Sequence, residues 1–368
     1  MPWAEDVLLM TPGPTRVPER VLRAGARPMI HHRGPAFSSE LATLLELISP
    51  VFGTRGLVLP IHSTGRGAME AAICNLFSPG DEMAACCNGR FGEMWARIAE
   101  SFGTVVHRFS TRWSDDVDLA TLESLLDRHP AIRAVALTYC DTSTGVRNEI
   151  AATCRVARAH GVLAMVDGVS AIGGMPFAFD DWGVDVAIMS SQKCLMSSPG
   201  LAFAALSDRA WQARSTSMLP REYWDFEAIR AEISRPRPQT PGTPPVHILL
   251  QVTEALRMMH EEGLEHVFRR HDRMADCARR GVAALGLSMQ CPSLAQFAAT
   301  VTAVALPDGT PPALVREKMK ARGIEIAGAL GPYAGSAFRI GHMGDIRPAD
   351  VERTLAVLSD VLTEIGQG

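Results

Sequence analysis

The sequence predicts an α/β protein: a large domain with a mostly parallel seven-stranded sheet wrapped by helices, then a smaller C-terminal α/β domain. Two observations carry that prediction. Through the middle of the 368-residue chain, short apolar runs alternate with amphipathic stretches of helical length, as in successive βα units. Beyond about Leu206 the rhythm changes, and a proline-rich stretch at 235–245 interrupts any regular element. With 47% hydrophobic residues, a chain of this length can bury more than one core.

The elements follow in order. An irregular arm containing Thr11-Pro-Gly-Pro-Thr15 leads to a helix at 37–48, and this stretch is expected to pack across domains. Strands are expected at 57–60, 83–86, 104–109, 134–138, 162–166, 184–189 and 201–206. Between them, helical patterns occupy 67–76, 93–101, 119–128 and 150–160, each bounded by glycine, proline or aspartate. A single long helix is expected over 246–285. The last third offers strands at 299–306, 324–327 and 337–340 and helices at 312–322 and 348–365. The expected division is an arm at 1–20, a large domain at 21–250 and a small domain at 251–368.

Charge and composition narrow the function. Thirty-six basic residues against 40 acidic ones give a net charge of −4, so no basic field exists to hold nucleic acid or an anionic membrane. No apolar run reaches the roughly 18 residues that span a bilayer, and the start lacks a basic, then apolar, leader. A cytoplasmic protein is expected. The eight cysteines form no C-x-x-C pair and read as buried free thiols.

In parallel sheets, ligands collect beyond the carboxyl ends of the strands, and several reactive groups fall there. Asp167 ends one apolar run. Lys193 lies just past another, where loss of water would lower its pKa and free its amine to act as a nucleophile. Singly, these read as a turn carboxylate and a surface lysine. As a pair they suit pyridoxal phosphate, whose aldehyde needs a lysine and whose ring nitrogen needs an anion. Ser63-Thr-Gly-Arg-Gly67 opens a helix and could hold a phosphate on its amides, or be an ordinary cap. Phe91, after the 83–86 strand, could stack on a planar ring or be a core aromatic. The hydroxyl-rich segment 138–145 follows another strand and could equally cap a helix. Arg339 sits inside an apolar strand and requires a carboxylate, from substrate or from an internal salt bridge. His31-His32-Arg33 reads as a partly buried polar cluster or as a contact for an acidic substrate side chain; adjacent histidines without companions make a poor metal site.

Taken together, Thr11-Pro-Gly-Pro-Thr15, Ser63-Thr-Gly-Arg-Gly67, Gly89-Arg-Phe-Gly92, Asp141-Thr-Ser-Thr-Gly145, Val166-Asp-Gly-Val-Ser170, Ser191-Gln-Lys193 and Arg339-Ile-Gly341 resemble the class V aminotransferases of pyridoxal-phosphate fold type I. The resemblance runs in order from about residue 8 to 360. The nearest branch is that of the alanine, serine or ureidoglycine:glyoxylate aminotransferases. It implies that Lys193 bonds the cofactor and later moves the α-proton, and that Asp167 meets the pyridine nitrogen. It further implies that Phe91 stacks on the ring, in a place often held by tryptophan. By the same likeness Thr64, Gly65, Arg66 and Gln192 hold the phosphate, and Thr243 reaches the phosphate of a partner subunit in a homodimer. Thr142 lies near the ring oxygen, Val169 touches the ring, and Arg339 clamps the substrate α-carboxylate. Thr240 and His32 stand where the ureidoglycine enzymes are expected to carry asparagine and glutamine, which argues against ureidoglycine. Gln192, not histidine, precedes Lys193, and Cys291 lacks a catalytic-loop context, which argues against cysteine desulfuration. The expected substrates are a small amino acid, alanine or serine in type, and a 2-oxo acid such as glyoxylate or pyruvate. A 2-aminoethylphosphonate:pyruvate aminotransferase and a non-catalytic binding protein of the same fold are the alternatives.

Overall fold

The computed structural model describes residues 7–109, 112–291 and 296–366. Its large sheet has seven strands in the spatial order Val58–Ile61, Ala202–Leu206, Val186–Ser190, Leu163–Asp167, Ile132–Thr138, Glu82–Cys86 and Val105–Phe109. The last five run parallel, whereas Ala202–Leu206 is antiparallel to both of its neighbours. The central strands are buried along their whole length, because helices cover both faces and each residue meets protein whichever way it points. That is why these strands read as continuous apolar runs without alternation. The seven expected strands are all present, with ends that coincide or shift by at most two residues.

A second sheet contains Leu8–Met10, Ile324–Gly328, Ala337–Gly341, Val301–Ala305 and the short edge Ser288–Met289. Its first strand was not anticipated. Only three residues long, Leu8–Met10 carries too little pattern to be seen alone, and it pairs parallel to Ile324–Gly328, more than 300 positions away in the chain. A separate apolar core lies under this sheet and includes Leu8, Met10, Met274, Ile326, Phe338 and Leu358. The arm then turns toward the large sheet, where the Thr15 amide donates to the carbonyl of Gln192 (3.1 Å).

The single helix expected over 246–285 is two helices, Val246–Glu262 and Leu264–Ala284. Gly263 separates them at φ +83°, a backbone state that glycine adopts without steric cost and that no α-helix contains. Both halves keep the same apolar periodicity, so the pattern continues across the break. Seven cysteines are buried and Cys277 is half-buried, all as free thiols. Among the described residues, no helix is long and apolar enough to cross a membrane.

Candidate active site

Three neighbouring strands deliver the reactive groups to one place. In the ladder, Thr138 pairs with Asp167 and Asp167 pairs with Ile188, so the carboxyl ends of Ile132–Thr138, Leu163–Asp167 and Val186–Ser190 lie side by side. Beyond them opens a cavity of about 190 Å³, lined by Thr64, Gly65, Arg66, Met69, Phe91, Met94, Thr142, Asp167, Val169, Ser170, Gln192 and Lys193. Residues spread over 130 positions of sequence thus face one small volume. Nine of them were singled out from sequence.

Asp167 is 3% exposed. Its carboxylate accepts from the Val169 amide (2.8 Å), yet burial dominates and pushes the acid up to about 7, with buried Asp141 adding repulsion. Lys193 shows the complementary shift. Loss of water, assisted by the nearby Arg339 charge, brings the amine down to about 8. Its Nζ donates to the carbonyl of Pro12 in the N-terminal arm. Gly13 is required there, since an added Cβ would lie 2.4 Å from Lys193 Cδ and φ is +110°. The chain has three lysines, and the other two, Lys318 and Lys320, lie on the helix Pro312–Ala321 and pair with Glu364 and Glu325.

The floor of the cavity is the start of the Gly65–Leu76 helix. Thr64 is its N-cap but makes no side-chain capping bond, so the first-turn amides have no side-chain acceptor from the cap. Gly65 fits tightly: a Cβ would come within 2.6 Å of Val169 Cγ2. Two buried oxygens nearby, Ser190 Oγ and Gln192 Oε1, have no hydrogen-bond partner among the described residues. Both features suit a polar ligand.

Asp141 organises the opposite wall. Completely buried and pushed up by desolvation, it accepts from the Phe91 amide (3.0 Å) and from the Ser143 amide and hydroxyl (2.9 and 2.5 Å). These bonds fix the first turn of Arg90–Ser101 and therefore the Phe91 ring. Thr142 Oγ1 lies 2.5 Å from Ser170 Oγ. Sequence reasoning gave no role to Ser170, Met69, Met94 or Pro12. The first three followed residues already flagged, whereas nothing local in the Thr-Pro-Gly-Pro-Thr arm shows that it reaches a lysine 181 positions away.

Arg339 is 8% exposed, and two of its donors are engaged, Nε with Gly328 O (2.8 Å) and one terminal nitrogen with Thr142 O (3.0 Å). Burial lowers its pKa to about 10. Among the described residues no carboxylate pairs with it, so the internal salt bridge weighed from sequence is not formed. His32, Arg33 and Thr243 do not line this cavity. The Arg33 guanidinium is committed to the proline-rich segment, donating to Thr240 O (2.7 Å), Pro241 O (3.0 Å) and Gln239 Oε1 (3.0 Å). Within the chain its charge serves to hold that segment. His32 is half-buried beside His31, and Thr243 is exposed, next to the residues Pro241 and Gly242 that border a second cavity with His62 and Trp224.

The family model for aminotransferase class V matches residues 7–338. An L-aspartate–glyoxylate aminotransferase of Paracoccus denitrificans is 36% identical over 364 residues, covering 97% of this chain and 91% of that protein. A protein of Synechococcus sp. named soluble hydrogenase, small subunit, is 37% identical over 366 residues, covering 98% and 94%. The crystal structure of an alanine–glyoxylate aminotransferase from Nostoc sp. superposes with a TM-score of 0.93 at 30% identity, covering 98% of this chain and 97% of that one. Sheet order, the aspartate–lysine pair and near full-length matches agree: this chain belongs to the class V aminotransferase family and is a transaminase of fold type I.

Proposed function

We propose that the chain uses pyridoxal phosphate to move the amino group of a small amino acid, alanine or serine in type, to a 2-oxo acid such as glyoxylate or pyruvate. The observation that carries this reading is the meeting of Asp167 and Lys193 across a cavity floored by a helix N-terminus. The cofactor's needs match what these residues lack. Asp167, costly to ionise where it is buried, gains from a cation on a ring nitrogen, and a phosphate supplies acceptors for the amides of Gly65 and Arg66 and the Thr64 hydroxyl. Gln192, Thr142, Val169 and Phe91 complete the holding set.

When bound there, the cofactor supplies an aldehyde for amine exchange and a ring that takes up carbanion charge. The remaining work falls to the chain. Lys193, with its pKa near 8, has an appreciable fraction of free amine near neutral pH and can therefore attack a carbonyl and accept the α-proton of the substrate. The Pro12 carbonyl keeps that amine within the cavity, and Arg339, fixed by two backbone carbonyls, offers its remaining donors to the substrate carboxylate. Glyoxylate is favoured as acceptor because the Paracoccus and Nostoc relatives both carry it in their names. We place the enzyme in the cytoplasm, as free thiols befit a reducing compartment, and expect a homodimer in which Thr243 reaches the partner's phosphate site.

The purified protein should be yellow, and borohydride should bleach it while fixing the cofactor to the peptide that contains Lys193. Mass spectrometry decides among three lysines only. A protein that takes up no cofactor, or attachment at Lys318 or Lys320, would sink the reading; Lys193→Ala should show no fixation and no transamination. A panel of alanine, serine and aspartate against glyoxylate and pyruvate then ranks the substrates.

A further inference from the structure

Far from the cavity, three side chains with metal-binding chemistry meet at the edge of the large sheet. Glu82 opens Glu82–Cys86, His107 lies in the edge strand Val105–Phe109, and His129 follows the last turn of Leu119–Arg128. Glu82 pairs with Val105 and Ala84 with His107, so Glu82 and His107 project from the same face, two residues apart in register. Arg108, the next residue, points to the other face and pairs with Glu93 and Glu100. The His129 ring lies 4.2 Å from that of His107, centroid to centroid, tilted by 40°. His107 Nε2 is 2.6 Å from Glu82 Oε2, and one donor atom from each of the three residues lies within 4.8 Å of the others.

We propose that Glu82, His107 and His129 bind a divalent transition cation of the zinc type. Two imidazoles and one carboxylate are the donor set that such a cation takes, and three protein ligands leave its fourth position for water. Calcium or magnesium would want oxygen throughout. Tetrahedral bonds of about 2 Å put donor atoms roughly 3.4 Å apart, which these half-buried side chains can reach by small torsional adjustments. Glu82 is at the amino end of its strand, about 13 Å along from the end that leads to Phe91. A cation would therefore tie two strands and a helix end together at an unprotected sheet edge, and it would leave the aspartate–lysine chemistry alone.

The test uses the full chain stripped with chelator and titrated with zinc alone by calorimetry. One zinc per chain should bind and raise the melting temperature, because a ligand specific for the folded state stabilises it. The double variant His107→Ala, His129→Ala should weaken this uptake by at least the roughly 10–100-fold that lesser changes around metal sites cause. Should that variant fold poorly, Glu82→Gln carries the same expectation with the surface nearly unchanged. Failure of the intact chain to take up zinc, or uptake undiminished in the variants, which would mark adventitious zinc held by other groups, overturns the proposal.

Discussion

Asp167 and Lys193 illustrate how burial creates reactivity. The strand that ends in Asp167 is apolar because both faces are covered, and the same cover that stabilises the strand removes water from its final carboxylate. In the unfilled protein this is a cost. The folded acid releases its proton near 7 while an exposed aspartate does so near 3.8, so between those values the folded state holds a proton that the unfolded chain has lost. Stability then falls as pH rises through that window. Asp167→Asn, which keeps the acceptor for the Val169 amide, is expected to stabilise the cofactor-free chain at pH 8 by on the order of 2 kcal/mol and hardly at all at pH 4. Chemical denaturation at the two pH values checks this; equal effects at both would show that Asp167 carries no such penalty. With cofactor present the advantage should reverse, since the asparagine cannot answer a charged ring nitrogen.

At the scale of elements, the N-terminal arm links the two sheets. Leu8–Met10 belongs to the second sheet, whereas Thr15 and the Pro12 carbonyl contact Gln192 and Lys193 beside the first. The arm crosses so closely that Gly341 also has no room for a Cβ, which would fall 2.3 Å from the Thr11 carbonyl carbon. Gly13→Ala is expected to cost about 1–2 kcal/mol through its left-handed backbone alone. In addition it should push the Lys193 amine from its place. Cofactor uptake followed by absorbance should slow markedly while the melting temperature drops only modestly, and unchanged uptake would deny the arm its positioning role. The break at Gly263 is the other local lesson: apolar spacing reports which face of a helix is buried, and it stays silent about a single backbone torsion.

For the whole molecule, the two cores are distinct, but the reactive groups are shared between the sheets. Arg339 comes from the second sheet and donates to the carbonyl of Thr142, in the turn that follows Cys140–Asp141 beyond the large sheet, so any relative motion of the sheets alters the distance from Arg339 to Lys193. Thr243, exposed on one chain, is expected to be covered in the dimer. Sedimentation should give a dimeric mass, and dilution to monomers should release the cofactor; a monomer that keeps it with undiminished affinity would remove Thr243 from the site. By itself the sequence determined the seven members of the large sheet and marked Asp167, Lys193 and Arg339 as candidates, because periodicity and strand-end chemistry are written within a few residues of each other. The tertiary structure alone decided which strands are neighbours, that the arm meets the lysine, that Arg33 folds the proline-rich segment, and that Glu82, His107 and His129 converge. Those contacts join residues up to hundreds of positions apart. Their geometry follows from sheet order and packing, which no local window of sequence contains.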